Sequence, residues 1–287
     1  MLRNSSGRHP KLGQHFLASA RILERIAVAA CPDGTEQVIE IGPGQGALTE
    51  RLLERSKRVV AIEMDSALAD RLRERWMHEP RLELVEGNAL NFDWKQWGPG
   101  VLAGNLPYYV ATAIISKYLA DPGPLKQAVF LIQKEVAERI TATPGHREFG
   151  YLSVECQHQA KVEYLLSVPP GAFRPPPKVD SAVIRLTPHP AAQSAETGGP
   201  SSPCNAPTTL TPHSAAQSAE TKAFLEFASR CFRQKRKTLR NNLTEFYAKE
   251  KLAGLPALSR RAEQLSVAEL LELFRTLTRT SEPAPQE

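Results

Sequence analysis

The feature that most constrains the fold is the segment at residues 38–50, Val-Ile-Glu-Ile-Gly-Pro-Gly-Gln-Gly-Ala-Leu-Thr-Glu. Its first residues are apolar and β-branched, as in a buried strand, and its last residues have helical periodicity. Gly42, Gly44 and Gly46 lie between these parts and permit a tight turn that a ligand can approach closely. The segment therefore predicts a strand, a glycine turn and a helix, which is the repeating unit of open α/β sheets.

The same alternation of strand and helix patterns continues along the chain. Helices are predicted at residues 45–55 and 66–76, the second capped by Asp65 or Ser66. The last two predicted strands are joined by a proline-rich loop, which indicates an antiparallel hairpin at the sheet edge. We predict a Rossmann-like, mostly parallel, seven-stranded sheet, with strands at residues 37–41, 58–62, 81–85, 101–103, 128–132, 162–166 and 179–186.

Three parts are predicted along the chain: a catalytic domain at 1–187, a linker at 188–220 and a small helical domain at 221–287. The eleven residues at 187–197 recur at 211–221 with one difference, and the stretch between them lacks the apolar residues needed to offset chain ordering. We therefore predict that 188–220 is disordered. Two apolar stripes predict the helical domain, and they consist of Phe224, Leu225, Phe227, Ala228 and Phe232, and of Leu265, Leu270, Leu271 and Phe274.

The net charge of +5 is carried by the end of the chain. Residues 222–287 contain 13 basic and 8 acidic side chains, whereas residues 1–221 contain 23 of each. A neutral body with a basic appendage predicts a polyanionic partner such as nucleic acid, and the alternative is a basic helix that only faces solvent.

Four scattered cysteines and seven histidines show no spacing typical of metal ligands, so no metal site is predicted. The cysteine usage predicts a reducing cytoplasm, and neither a secretory signal nor a membrane-spanning run is present. The first 23 residues contain basic side chains and no acid, which leaves an organelle-targeting peptide as the alternative.

The glycine turn and the acidic residue after it predict the cofactor. Glu63 stands 21 residues beyond Gly42 at the end of the second predicted strand, where its carboxylate can accept hydrogen bonds from both ribose hydroxyls. That arrangement disfavours a phosphorylated ribose, and no lysine or arginine lies in the turn. S-adenosyl-L-methionine (AdoMet) fits such a loop because it has no phosphates, and Gly42 and Gly44 would approach it.

The tetrad Asn105-Leu106-Pro107-Tyr108 follows the fourth predicted strand, at the carboxyl edge of the sheet where ligands bind. The lone pair of an adenine amine is delocalised into the ring, so this nitrogen is a poor nucleophile. Acceptors at the Asn105 side chain and at a backbone carbonyl near Pro107 would aim the lone pair at a methyl group, and Tyr108 can stack on the base. An Asn-Pro turn is ordinary by itself, but with the glycine turn it predicts methyl transfer to a base.

Seven motifs in order resemble the KsgA-type ribosomal RNA adenine N6,N6-dimethyltransferases over nearly the whole chain. They lie at residues 11–17, 39–50, 105–112, 133–139, 149–154, 173–181 and 232–243. The resemblance implies a class I AdoMet-dependent methyltransferase fold with a small all-α C-terminal domain. The implied reaction moves four methyl groups onto two adjacent adenosines near the 3′ end of small-subunit rRNA, and the expected partner is a pre-30S ribosomal particle. A monomeric enzyme is a separate expectation.

The same resemblance assigns roles to single residues. His15 and Leu17 would border the cofactor, Gly42 would contact its methionine part, Glu63 its ribose and residue 88 its adenine. Asn105 would face the reacting methyl group, and Phe173 would be a second aromatic wall around the target adenine.

Asn88 departs from the family pattern, which usually has Asp in the corresponding Gly-Asp-Ala. An Asn oxygen can accept from the adenine amine and its NH₂ can donate to a ring nitrogen, so cofactor binding should survive. We predict that Asn88→Asp changes AdoMet affinity by less than about tenfold, or roughly 1.4 kcal/mol.

A run of cations at residues 230–240 predicts rRNA contact by the helical domain. On a helix these side chains would spread over more than one face. The run contains Arg230 and the five candidate phosphate ligands Arg233, Lys235, Arg236, Lys237 and Arg240.

Two other functions remain open at this stage. A macrolide-resistance methyltransferase would use the same chemistry on large-subunit rRNA, although residues 232–243 resemble the small-subunit enzymes more closely. A non-catalytic ribosome assembly or transcription factor could keep the fold without transferring methyl groups, and the intact Gly42, Glu63, Asn105 and Tyr108 argue against it.

Overall fold

A computed structural model describes residues 15–32, 34–190 and 212–279. For residues 212–218 and 279 it describes the backbone only. The motif residues Lys11 to Gln14 and the centre of the predicted linker, 191–211, lie outside the described residues.

Most strands of the described chain belong to one seven-stranded sheet. The strands are β1 (Phe16–Leu17), β2 (Thr35–Ile41), β3 (Ser56–Glu63), β4 (Leu82–Glu86), β5 (Gly100–Asn105), β6 (Leu125–Gln133), β7 (Ala160–Val168), β8 (Phe173–Arg174) and β9 (Ser181–Pro188). The large sheet has the order β4-β3-β2-β5-β6-β9-β7, in which β2 runs parallel to β3 and β5, and β3 runs parallel to β4. This confirms the predicted Rossmann-like sheet, including the placement of the last two long strands, β7 and β9, beside each other at one edge.

Helices connect the strands and make up the end of the described chain. Among the described residues, no helix is both long and apolar enough to span a lipid bilayer. The helices are α1 (Ala20–Ala30), α2 (Ala47–Leu53), α3 (Ser66–Arg75), α4 (Ala111–Ala120), α5 (Lys134–Thr141), α6 (Tyr151–Gln159), α7 (Pro212–Cys231), α8 (Leu239–Leu243), α9 (Lys249–Leu252) and α10 (Val267–Arg279).

A second, two-stranded sheet brings the start of the described chain to the proline-rich loop. In this antiparallel pair, Phe16 is opposite Arg174 and Leu17 is opposite Phe173. The Ala18 amide continues the contact by donating to the Ala172 carbonyl at 2.8 Å. The strand patterns did not predict this pairing, because two-residue strands have no periodicity to detect.

The start of α3 illustrates how local sequence sets an element boundary. The Asp65 side chain accepts hydrogen bonds from the amides of Ala67 and Leu68 at 3.0 and 3.2 Å. An N-cap of this kind satisfies donors that have no partner within the helix. Of the two predicted caps, Asp65 is therefore the one that begins α3.

The chain divides into two compact units that interleave along the sequence. The first contains the described residues up to Ile114, Gln127–Lys134 and Leu165–Arg185, and the second contains Ile115–Lys126, Glu135–Tyr164 and the described residues from Leu186 onward. This division differs from the predicted boundaries at 187 and 220. In the second unit, Phe149 and Val154 share one hydrophobic core with Phe224 and Phe227, and composition along the chain cannot reveal such a long-range association.

Both ends of the predicted linker at 188–220 have a defined backbone where the structure describes them. His189 donates its backbone amide to the Gln159 carbonyl at 3.0 Å, and α7 begins at Pro212, inside the second copy of the repeat. Proline suits the first position of a helix, and the alanines that follow have the highest helix propensity. Glu220 is also held by an ion pair of 2.9 Å with Arg275. The composition indicates low hydrophobicity, but it does not reveal the helix propensity of residues 212–220.

Candidate active site

The glycine turn after β2 is built as predicted. Gly42, Gly44 and Gly46 have φ angles of +71°, +59° and +81°, in the left-handed region that side chains rarely adopt. The Gly46 amide closes the turn by donating to the Pro43 carbonyl at 2.8 Å, and α2 begins at the next residue. The turn therefore carries the chain from β2 to α2 at the carboxyl edge of the sheet.

Two aromatic rings pack closely against this turn. A Cβ added to Gly44 would lie 3.0 Å from the Phe16 ring, and a Cβ added to Gly46 would collide with the Trp76 ring. Gly42 is open by comparison, since its added Cβ would meet only the Asn105 carbonyl oxygen, at 3.7 Å. Neither the glycine motif nor the motif at residues 11–17 by itself assigns these two rings a role at the turn.

Glu63 ends β3 and is already organised by the backbone around it. Its Oε2 accepts from the Gly44 amide at 3.0 Å, and its Oε1 accepts from the Asp65 amide at 2.9 Å. Each carboxylate oxygen can accept a further hydrogen bond, so two ribose hydroxyls remain compatible with this arrangement. Burial raises the pKa of Glu63, and the amides of Asp65, Gly44 and Met64 oppose that rise. The turn and the acidic residue thus form one hydrogen-bonded unit.

Asn88 lies just beyond β4, beside the end of β3. The Gly87 amide donates to the Glu63 carbonyl at 2.8 Å, which ties the two strand ends together. Asn88 itself caps a short 3-10 helix, Ala89–Asn91, through a 3.0 Å hydrogen bond from the Leu90 amide to its Oδ1. Gly44, Glu63 and Asn88 therefore follow three neighbouring strands at the same sheet edge.

Asn105 ends β5, and its side chain has a defined orientation. The Nδ2 group donates to the His15 carbonyl at 3.2 Å. His15 is held in turn by a 2.8 Å hydrogen bond from its Nδ1 to the Pro175 carbonyl. Since Nδ2 is used in this way, the Asn105 Oδ1 is the amide atom left to accept a hydrogen bond from a ligand.

Tyr108 is fixed by two contacts. Its hydroxyl shares a hydrogen bond of 3.0 Å with the Ser181 hydroxyl. Its ring stacks against His15 with centroids 6.3 Å apart and planes at 27°. The neighbouring Tyr109, by contrast, is 62% exposed. The structure thus brings Tyr108 next to Asn105 and His15. It also adds Ser181, the last residue of the motif at 173–181, to which no role was assigned from the sequence.

The backbone of the tetrad differs in one detail from the expected arrangement. The Pro107 carbonyl accepts hydrogen bonds from the amides of Val110 and Ala111, both at 3.1 Å, at the start of α4. It is therefore engaged in starting the helix. The Leu106 carbonyl does not take part in that turn, and it is the better candidate for the second acceptor near the target amine.

Two aromatic or apolar residues that the resemblance assigned to the site lie in the core. Phe173 is 1% exposed and Leu17 is 5% exposed, and both belong to the hydrophobic core of the first unit. Successive strand residues point to opposite faces, so burial of Leu17 leaves Phe16 to face the glycine turn. In this structure Phe173 is not an open wall, and Leu17 does not present its side chain to the turn.

Glu40 is a buried acidic residue of β2, two positions before Gly42. It is 1% exposed, and neither its Oε2 nor the nearby buried Thr49 hydroxyl has a hydrogen-bond partner among the described residues. Burial raises the pKa of Glu40 to about 8; the Thr49 hydroxyl opposes the rise without reaching hydrogen-bond geometry, and the Glu63 carboxylate adds to it. The protein therefore carries an acid in its core that is protonated at mildly acidic pH.

Replacing Glu40 by glutamine is expected to stabilise the protein at high pH only. The unfolded carboxyl ionises near pH 4.5 and the folded one near 8. The stability cost of the wild-type carboxyl is therefore absent below pH 4.5, grows between these values and is constant above pH 8. In urea unfolding, the stability gain of Glu40→Gln over the wild type should be larger at pH 9 than at pH 5 by roughly 2 to 5 kcal/mol.

Glu36→Gln is the matched control, because Glu36 lies on the same strand but its side chain is 75% exposed and pairs with Lys57. Exposed pairs contribute little to stability, so this variant should show no comparable pH dependence. Equal pH profiles for wild type and Glu40→Gln would contradict the buried-acid interpretation.

The cations at 230–240 belong to the second unit and do not form one helix. α7 ends at Cys231 and α8 begins at Leu239, so most of the run lies in a loop. The loop is pinned by Asn242, whose Nδ2 donates to the carbonyls of Cys231 and Gln234 at 2.9 and 3.2 Å.

The loop cations fall into two groups. Arg233 pairs with Glu245, and the Lys235 Nζ lies 3.5 Å from the Arg147 carbonyl. Arg236, Lys237 and Arg240 are exposed, and their side chains have no acidic partner among the described residues. The last three are therefore the cations most available to an external anion.

Residues 5–197 match the family model described as ribosomal RNA adenine dimethylase. That match covers well over half of the 287 residues. The chain belongs to the ribosomal RNA adenine dimethylase family. Membership confirms the resemblance drawn from the seven motifs.

Curated relatives match this family member along almost its whole length. A protein named ribosomal RNA small subunit methyltransferase A from Acidobacterium capsulatum is 40% identical, over 95% of this chain and 92% of that protein. A protein of the same name from Legionella pneumophila is 36% identical, over 93% of this chain and 97% of that protein.

Two solved structures share the family fold. A dimethyladenosine transferase from Plasmodium falciparum is 24% identical with a TM-score of 0.72, covering 92% of this chain and 98% of that one. The 23S rRNA methyltransferase ErmE is 26% identical with a TM-score of 0.65, covering 92% and 99%. Both similarities confirm the class I methyltransferase architecture with a helical C-terminal region.

Proposed function

We propose that this family member transfers methyl groups from AdoMet to N6 of two adjacent adenosines in a hairpin near the 3′ end of small-subunit rRNA. The products are N6,N6-dimethyladenosines formed during ribosome biogenesis. Family membership and the names of the curated relatives support this assignment. We further infer a pre-30S particle as the substrate, a monomeric enzyme and a cytoplasmic site of action.

The residues after β2 and β3 fit the donor. The left-handed glycine turn exposes backbone where side chains would intrude, and Glu63 offers acceptors for ribose hydroxyls. No cation lies within the turn at 42–46, in keeping with a donor that has no phosphates. When bound, AdoMet supplies an activated sulfonium methyl group, so the protein's task is mainly positioning.

The proposal that an adenine amine receives the methyl group rests on a single observation, the orientation of Asn105. Its Nδ2 donates to His15, so Oδ1 accepts from the target amine, and the Leu106 carbonyl provides a second acceptor. Two acceptors on the amine protons favour a pyramidal nitrogen whose lone pair points at the methyl group. Tyr108, held by Ser181 and His15, offers its ring for stacking on the purine.

Mass spectrometry of rRNA tests this function directly. Purified protein and AdoMet are incubated with ribosomal subunits from a strain that lacks the endogenous dimethylase. The expected result is two adjacent dimethyladenosines in the small-subunit rRNA and none in the large-subunit rRNA. Methylation of large-subunit rRNA alone would indicate the macrolide-resistance activity. Binding of small subunits without methylation would indicate a non-catalytic assembly factor.

The exposed loop cations give a second prediction, about rRNA binding. Replacing Arg236, Lys237 and Arg240 together by alanine should weaken binding of small-subunit rRNA. Each phosphate ligand that is removed should flatten the slope of log affinity against log salt by about 0.7 to 0.9, or roughly 2 to 3 for the triple variant. Filter binding at several salt concentrations measures this slope, and calorimetry should show unchanged AdoMet affinity.

A control variant removes the same charge from the first unit. Arg21, Arg25 and Arg71 are exposed helical residues, and their joint replacement by alanine should leave the salt slope within about 1 of wild type. An unchanged slope in the loop variant, or an equal change in both variants, would count against the loop as the rRNA contact. Arg233 is excluded from the loop variant because its removal would also break the pair with Glu245.

A further inference from the structure

The exposed side chain of Tyr109 has no role in the proposed function so far. This residue follows Tyr108 directly, in the turn that leads from β5 into α4. Its ring is 62% exposed, whereas the Tyr108 side chain is held on two sides. Among the described residues, Tyr109 stacks on no other aromatic ring, and its hydroxyl has no hydrogen-bond partner. An aromatic face is therefore available to a ligand at the carboxyl edge of the sheet.

The direction of this side chain follows from the turn and from a neighbouring charge. The Pro107 carbonyl accepts from the two amides that follow Tyr109, so the chain bends around this residue. Burial raises the pKa of the Tyr109 hydroxyl, and the Glu63 carboxylate raises it further. A charge has such an effect only at short range. β2 lies between β3 and β5 in the sheet, so the hydroxyl lies on the side of β5 that faces the glycine turn.

The covalent structure of AdoMet fixes where its sulfonium would lie. The sulfur joins the ribose-bearing carbon, the methionine chain and the methyl group. A donor whose ribose meets Glu63 and whose methyl group faces Asn105 has its sulfur between the ends of β3 and β5, above the glycine turn. Adjacent strands are about 4.8 Å apart, so this interval is only about 10 Å wide. It is the interval toward which Tyr109 extends.

We infer that the Tyr109 ring covers the sulfonium of the bound donor and binds it by a cation–π interaction, so that this residue favours AdoMet over S-adenosylhomocysteine. The inference rests on the proposed use of AdoMet. An aromatic face attracts a cation within about 6 Å of the ring centre. S-adenosylhomocysteine is the donor after loss of its methyl group, and its sulfur carries no charge. The ring therefore selects fresh donor over spent donor between successive transfers.

Tyr109→Leu tests this inference because leucine keeps an apolar side chain but has no aromatic face. Calorimetry without RNA gives dissociation constants for AdoMet, sinefungin and S-adenosylhomocysteine. Sinefungin carries an ammonium group in place of the methylsulfonium, so the first two ligands are cationic at this position and the third is neutral. We expect the preference for each cationic ligand over the neutral one to fall about fivefold to thirtyfold, equivalent to roughly 1 to 2 kcal/mol.

Two variants serve as controls. Tyr109→Phe keeps the aromatic face and should retain both preferences within about twofold. Tyr164→Leu is the matched control, because Tyr164 is a partly exposed tyrosine of β7, at the sheet edge opposite to β4. It should leave all three affinities unchanged. The affinity of Tyr109→Leu for the neutral ligand should stay within about threefold of wild type, which shows that the variant is folded.

Equal weakening of all three ligands in Tyr109→Leu would show that the ring acts only through its shape and would overturn the inference. Unchanged preferences would overturn it as well. Either result leaves the proposed function standing, because wild type still binds the donor. Failure of wild type to bind any of the three ligands would instead remove AdoMet from the proposed function, and the inference with it.

Discussion

Replacement of Asn105 by alanine is expected to lower the rate of methyl transfer by a factor of about 10² to 10³. The Asn105 Oδ1 is oriented by the Nδ2 hydrogen bond to the His15 carbonyl, and the variant removes the acceptor that aims the amine lone pair. Preorganised acceptors and donors of this kind act mainly in the transition state. Single-turnover methylation of small subunits should therefore show a slower chemical step.

Binding measurements separate this effect from misfolding. The Asn105→Ala variant should bind AdoMet and small-subunit rRNA within about threefold of wild type, since neither Glu63 nor the loop cations are changed. Asn91→Ala is the control, because it removes an exposed amide outside the site. A variant that keeps more than a tenth of the wild-type rate would show that the amine is activated by other groups.

Replacement of Gly46 by alanine is expected to cost about 2 to 4 kcal/mol of stability and to weaken AdoMet binding at least about a hundredfold. Gly46 has φ +81°, and its added Cβ would collide with the Trp76 ring. Relief of the collision requires the turn or the ring to move. Displacement of the turn would shift the Gly44 amide away from Glu63 and spoil the donor site.

Gly34→Ala provides the comparison for backbone strain alone. Gly34 has φ +63°, but nothing lies within 4 Å of its added Cβ, so only the backbone strain of about 1 kcal/mol should appear. Adding Trp76→Ala to Gly46→Ala should recover part of the stability, as expected for residues that touch each other. Equal losses of unfolding free energy for the two glycine variants, measured by urea unfolding, would show that the Trp76 ring moves aside at little cost.

Much of the fold was predictable because its signals are local. Strand periodicity, the glycine turn and the Asp65 cap each depend on residues a few positions apart, and all three were confirmed. The interleaved units were not predictable in this way. Phe149 joins the core of Phe224 and Phe227, some 75 residues further along the chain, so only the packed structure reveals the association.

The same distinction between local and distant signals applies to the candidate site. The order of Gly42, Glu63 and Asn105 along the strands was sufficient to bring them to one sheet edge. The exposure of individual side chains was not predictable from that order. Phe173 is buried in the core of the first unit, and the Pro107 carbonyl accepts hydrogen bonds at the start of α4. These outcomes depend on neighbours that the motif itself does not contain.

The amino-acid sequence by itself determined the strand, turn and helix unit, the family and the chemistry suited to a ribose and an amine, because residue type and short spacing specify them. The tertiary structure alone decided which atoms are free to act. Asn105 is oriented by a carbonyl 90 residues earlier in the chain, and Gly46 is confined by a ring 30 residues later. Hydrogen bonds and steric contacts act over a few ångströms. Only folding brings residues that are so far apart in the sequence close enough to make them.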